Sequence, residues 1–237
     1  METSVLLVHS PLVGPTTWDP VARVLAARGC EIRLPNLTGV AEAGPPRWRW
    51  FVDAAVSAAA DLAAPVVVAG HSGAGVLLPA IGAGLDDRLG GLVFVDAVVP
   101  PTTGAHQSSD AMLRFLDGQS EAGRLRPWLD WWPDDVVADL LPDPADRAVL
   151  RQELPRVPRD FYDEPVPMPP DWSVDGCVYL RLSDAYDEEL GEAQRRGWPC
   201  RALDSDHLGM FTNPEPVVDA VESLFAAASH RSAPSDA

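Results

Sequence analysis

Residues Pro65 to Ala80 read PVVVAGHSGAGVLLPA. Three consecutive β-branched residues run into a glycine, His71-Ser72-Gly73 follow, and an apolar stretch of helical length comes next. A strand that turns into a helix within so few residues leaves almost no room around the turn. The residues two before and two after its central serine must therefore be small, and Gly70 and Ala74 meet that requirement. Such a corner puts the Ser72 hydroxyl at the edge of a sheet. It also puts the Gly73 N–H at a helix start, aimed at developing negative charge.

The rest of the chain supplies the sheet. SVLLVHS (4–10), EIRLP (31–35), PVVVAG (65–70), GLVFVDA (91–97), CVYLRLS (177–183) and PCRAL (199–203) read as strands. Most are continuously apolar rather than alternating, as expected of strands covered on both faces. Helical patterns separate them: 17–29, 49–64, 73–85 and 187–197, with a last one from Pro214 that Asn213 caps. Repeated strand–helix–strand units predict an α/β fold. Its open, mostly parallel sheet has about six strands, helices on both faces, and ligands at the carboxyl ends of the strands. From Pro100 to Trp172 no buried strand is evident, and four of the eight tryptophans lie there. The expected organisation is a first core part at 1–99, a helical lid inserted after the fourth strand at 100–172, a second core part at 173–228 and a disordered tail at 229–237.

Charge narrows the possible partners. Lys and Arg number 18 against 35 Asp and Glu, a net charge of -17. That field repels phosphate backbones and anionic lipids, which disfavours nucleic acid and membrane surfaces and leaves a small-molecule substrate. No apolar run approaches a bilayer span, and the opening METSVLLVHSP lacks the layout of a signal peptide. Cys30, Cys177 and Cys200 are scattered, without a disulfide framework or metal-ligand pairing. The expected location is cytoplasmic. GHSGAG lacks the lysine and spacing of a phosphate loop, so neither cofactor nor metal is expected.

A serine hydroxyl needs a base. His207, in LDSDHLGMF, follows the last strand pattern and precedes the last helix, so it reaches the same sheet edge as Ser72. The base in turn needs a carboxylate at a strand end. Asp184, directly after the fifth strand, is the first choice, with Asp96 after the fourth and Asp187 one helical turn beyond Asp184 as alternates.

With these residues in place, the chain resembles the α/β-hydrolase superfamily. The resemblance is to its small lidded branch of plant methyl esterases, hydroxynitrile lyases and bacterial esterase-like proteins. It rests on the GHSGAG elbow, on DHLGMF before the final helix, and on LLVHSPLVGPTTWDPVARVLAARG at the start. It implies a serine hydrolase that cleaves a small ester or thioester through a Ser-His-Asp triad and an acyl-enzyme. Alternatives are a lyase or other proton-transfer enzyme acting on a small carbonyl compound, and a catalytically degenerate ligand-binding homologue. A thioesterase would bring an acyl carrier protein as partner, a pairing that the acidic charge disfavours.

One departure stands out. The family pattern after the first strand is His-Gly-X, with the N–H of X completing the oxyanion site; here the residues are His9-Ser10-Pro11, and proline has no N–H. Gly73 is one expected oxyanion donor, with the Leu12 N–H or the Ser10 hydroxyl as the second. Pro11 and His71 are expected beside the substrate. Trp128, Trp131 and Trp132 either line the pocket or pack the lid onto the body, at least one ring touching ligand.

Overall fold

The computed structural model describes residues 4–173 and 176–231. Six parallel strands form one sheet: β1 (Ser4–Val8), β2 (Glu31–Arg33), β3 (Val66–Ser72), β4 (Leu89–Ala97), β5 (Cys177–Arg181) and β6 (Cys200–Ala202). Their spatial order is β2-β1-β3-β4-β5-β6. Chain order reverses between β1 and β3, so the loops leaving these two strands part and open a crevice at their carboxyl ends.

The apolar strands are buried on both faces, as their sequences imply. On one face Leu6, Val8, Val66, Val68, Phe94 and Tyr179 pack under α2 (Arg47–Ala58) and α3 (Leu78–Leu85). On the other, Val5, Leu7, Val67, Val93, Val95 and Leu180 meet α1 (Asp19–Ala27) and α9 (Pro214–Arg231). Strands covered on one face only would have alternated with polar residues.

Several boundaries differ from the sequence reading, among them the helix read over 49–64, which ends at Ala58. The stretch 73–85 is a 3-10 turn, Gly73–Val76, followed by α3, because Pro79 sits in the first turn of a new helix. A short helix, Gly209–Thr212, precedes α9, which begins at Pro214 as expected. α9 continues to Arg231, past the expected start of the tail at 229, and residues 232–237 lie outside the described ones. Between β4 and β5 the chain forms α4 (Asp110–Gly118), α5 (Asp134–Leu140) and α6 (Pro144–Arg151). Ala105–His106 pairs antiparallel with Val166–Pro167, which draws the two ends of this excursion together. Arg47 of α2 anchors it through Glu164 (3.1 Å) and Asp160 (3.2 Å). No helix among the described residues is long and apolar enough to cross a membrane.

Candidate active site

Ser72 ends β3 with φ 57° and ψ -126°, a left-handed conformation that a residue with a Cβ adopts only when its surroundings demand it. The corner is as crowded as the sequence implies. A Cβ on Gly70 would lie 2.8 Å from Leu78, and Ala74 is fully buried. A third small residue is needed that the sequence reading missed: a Cβ on Gly75 would lie 2.2 Å from the Val98 carbonyl oxygen.

The strand beside the elbow is irregular at the same level. His71 pairs with Val95 and Ser72 with Ala97, so Asp96 is an extra residue in β4, at φ 43°. Such a bulge re-aims a side chain. Here it turns a fully buried carboxylate toward the loop that carries His207. Asp96 Oδ1 accepts from the backbone N–H groups of Leu182 (2.8 Å) and Ser183 (2.9 Å). Its Oδ2 accepts from Ser183 Oγ (2.6 Å) and His207 Nδ1 (2.8 Å). A carboxylate only accepts, so Nδ1 is the donating nitrogen of His207, and in the neutral ring Nε2 is the one left to accept.

The Asp184 carboxylate, first choice in the sequence, points elsewhere. It is 89% exposed and pairs with Arg181 at 3.0 Å, while Asp187 binds the same guanidinium at 2.9 Å. Both belong to the exposed end of β5, and the position beside His207 is held by the alternate, Asp96. The sequence placed each of these acids after a strand; only the bulge decides which of them turns inward.

Two rings lie close against the His207 ring. Tyr186 stacks on it, nearly parallel at 4° with centroids 5.1 Å apart, and His71 lies against it tilted by 37° at 4.3 Å. His71 Nε2–H donates to the His207 carbonyl (2.9 Å), tying the elbow to the histidine loop. Burial, and after it the proximity of His207, hold the His71 pKa well below its usual value, so this ring is neutral. Tyr186 was not singled out by sequence. Its hydroxyl hydrogen bonds Ser72 Oγ at 3.1 Å, and burial raises its pKa, so it keeps its proton. Its position directly after the fifth strand was the available signal.

The loop after β1 is held from inside. His9 donates from Nδ1 to the Ser10 carbonyl and accepts at Nε2 from the Leu37 N–H, both at 2.9 Å. Burial lowers its pKa. Trp18 Nε1–H donates to the Val8 carbonyl at 3.1 Å. Ser10 to Val13 form a turn closed at 3.1 Å with Pro11 at its second position, a place that suits proline. The Leu12 N–H points to Ser10 Oγ at 3.4 Å. Ser10 Oγ and Pro11 lie within 3.6 Å of where a Gly73 Cβ would be, so the loop rests against the elbow. The Gly73 N–H starts a helical turn and has no partner within it.

Ser72, Gly73, Pro11, Leu12 and Tyr186 line a cavity of about 370 Å³, walled by Met112, Phe161, Tyr162 and Val166 among others. The three tryptophans do not line it. Trp128 approaches the His207 ring at 5.9 Å, Trp131 packs on Phe115 and donates to the Arg126 carbonyl, and Trp132 is 38% exposed. These rings pack the inserted segment, whereas its contribution to the cavity wall comes from residues 106–112 and 161–166.

Known proteins agree with this architecture. An extracellular alpha/beta-hydrolase from a Paenibacillus species, described as sharing structural and functional homology with tobacco salicylic acid binding protein 2, superposes with a TM-score of 0.72 at 17% identity over 94% of this chain and 99% of its own. Polyneuridine aldehyde esterase gives 0.71 at 15% identity over 94% and 99%. A methylesterase from Arabidopsis gives 0.68 at 18% identity over 96% and 100%. The last two are named as an esterase and a methylesterase, in keeping with the branch that the sequence resembles. No curated protein matches by sequence. The model of the alpha/beta hydrolase family matches residues 5–220, and the chain belongs to that family of enzymes.

Proposed function

We propose that the protein is a serine hydrolase that cleaves a small ester or thioester through Ser72, His207 and Asp96. The observation that carries this reading is the Asp96–His207 hydrogen bond at 2.8 Å, set at the same sheet edge as a serine in a strained elbow. Ser72 Oγ exchanges its bond to Tyr186 for one to His207 Nε2 and attacks the substrate carbonyl carbon while Nε2 takes its proton. The carbonyl electron pair moves onto oxygen, where the Gly73 N–H receives it. As the tetrahedral intermediate collapses, the bond to the alcohol or thiol breaks and His207 returns the proton to that leaving group. Water then repeats the sequence on the acyl-enzyme and releases the acid. Asp96 holds His207 in the productive tautomer and stabilises its charged form.

A cavity of about 370 Å³ suits a small substrate, and a net charge of -17 disfavours an acidic acyl carrier protein as donor. The scattered cysteines suit a reducing compartment, so the cytoplasm is the proposed location.

One observation favours a second reading, proton transfer on a small carbonyl compound by the Ser72–His207 pair. Pro11 has no N–H, and the Leu12 N–H is directed at Ser10 Oγ. Intact-mass measurement after incubation with a fluorophosphonate separates the two. A single adduct on the wild type and none on Ser72→Ala is expected for the hydrolase. An unmodified but folded wild type overturns it in favour of proton transfer or ligand binding.

A further inference from the structure

Two carboxylates line the Ser72 cavity, Glu164 and Glu189, and no arginine lines it among the described residues. They are not equivalent. Glu164 accepts from the Arg47 N–H at 2.6 Å and from its guanidinium at 3.1 Å, so its charge is matched. Glu189 stands in the first turn of α7 (Asp187–Arg195), where its neighbours are accounted for: Asp187 binds Arg181, and Glu188 is exposed. Glu189 alone of the three lines the cavity, half-buried, and no cationic side chain pairs with it among the described residues.

The Glu189 backbone N–H offsets part of its charge, but no cation among the described residues does. His106, the cavity's one other titratable nitrogen base, is kept neutral by burial. The chain has no lysine, so its permanently charged side-chain cations are all arginines. Burial, with Glu188 and Asp96 nearby, raises the Glu189 pKa, the direction expected of a carboxylate with an unmet charge. A helix-capping role accounts for an acidic residue at this point in α7 but not for its turning toward the nucleophile's cavity.

We infer that Glu189 selects charge in the Ser72 cavity, and that the ester or thioester cleaved there carries a cationic group; the inference rests on the hydrolase reading. Anionic esters meet an uncompensated carboxylate and are rejected. The apolar walls receive the substrate's hydrocarbon, and the cation replaces the partner that Glu189 lacks.

Isosteric ester pairs test this by calorimetry in Ser72→Ala, where turnover does not interfere. One pair carries the charge on the alcohol (choline acetate against 3,3-dimethylbutyl acetate). The other carries it on the acyl chain (methyl 4-(trimethylammonio)butanoate against methyl 5,5-dimethylhexanoate). The cationic member of one pair is expected to bind at least about tenfold more tightly, and the ratio to fall to near one when Glu189→Gln is added. Equal binding within both pairs, a ratio unchanged by Glu189→Gln, or no binding of either cation at millimolar concentration overturns the inference. Wild-type turnover of the same esters keeps the two readings apart. Preference without hydrolysis removes the hydrolase alone, and hydrolysis without preference removes the cation alone.

Discussion

Asp96→Asn isolates the electrostatic part of the proposed triad with almost no change in shape. The native carboxylate faces four donors, two backbone N–H groups on Oδ1 and Ser183 Oγ and His207 Nδ1 on Oδ2. An asparagine can keep its oxygen on the Leu182 and Ser183 N–H groups. Its NH₂ then replaces Oδ2 and must donate, which Ser183 Oγ accommodates by turning its own hydrogen away. His207 has no such freedom: to accept at Nδ1 it must carry its proton on Nε2, the nitrogen that has to accept from Ser72. The wrong tautomer costs on the order of 10⁴ in kcat where a buried triad aspartate is replaced in this way, or about 5.4 kcal/mol in the barrier. Stability falls by about 1–3 kcal/mol, since one charged hydrogen-bond acceptor is lost in a buried site. Steady-state hydrolysis of 4-nitrophenyl acetate, with urea unfolding in parallel, reads both. Asp184→Asn, at an exposed pair, is expected to stay within about twofold of wild type. Asp96→Asn retaining more than a tenth of kcat, or Asp184→Asn losing as much, refutes the assignment.

Two further outcomes follow from the same geometry. Gly75→Ala places a methyl 2.2 Å from the Val98 carbonyl oxygen, and the Val98 N–H is bonded to the Ser72 carbonyl at 3.1 Å. A loss of about 1–3 kcal/mol together with impaired activity is expected in thermal denaturation and ester assays, whereas Gly39→Ala, with nothing within 4 Å, serves as the neutral control. His9 and His71 both have lowered pKa values in the folded protein, while the unfolded chain takes up protons at about the ordinary histidine value of 6.5. The unfolded state therefore binds more protons below that pH, and stability falls as pH drops through it, by about 1.4 kcal/mol per pH unit for each histidine. Urea midpoints from pH 7.5 to 5.5 should show this slope, reduced in His71→Gln; a flat profile contradicts the neutral, buried assignment.

The strand–turn–helix around Ser72 was legible without coordinates, because valines before and small residues after the serine leave few other conformations. The burial of the sheet on both faces was legible for the same reason, in runs of apolar residues that no half-exposed strand tolerates. His207 was found by its place between the last strand and the last helix. Each of these depends on local pattern and chain order, which a sequence carries directly.

Other features depended on which way neighbouring elements turn one another. Asp96 and Asp184 look alike in sequence, each an aspartate after an apolar strand. A single extra residue in β4 turns Asp96 onto the histidine, and Arg181 holds Asp184 outside. The tryptophans suggested the pocket by size, yet residues 106–112 and 161–166 form its wall where Ala105–His106 and Val166–Pro167 pair. Tyr186 and Glu189 carried no motif at all, and they matter because α7 begins beside Ser72. Sequence determined the fold and the place of Ser72 at its corner because both follow from short-range sterics and hydrophobic periodicity; the carboxylate beside His207, the cavity wall and the position of Glu189 in it were decided by tertiary packing, since side-chain direction at a strand end depends on contacts far away in the chain.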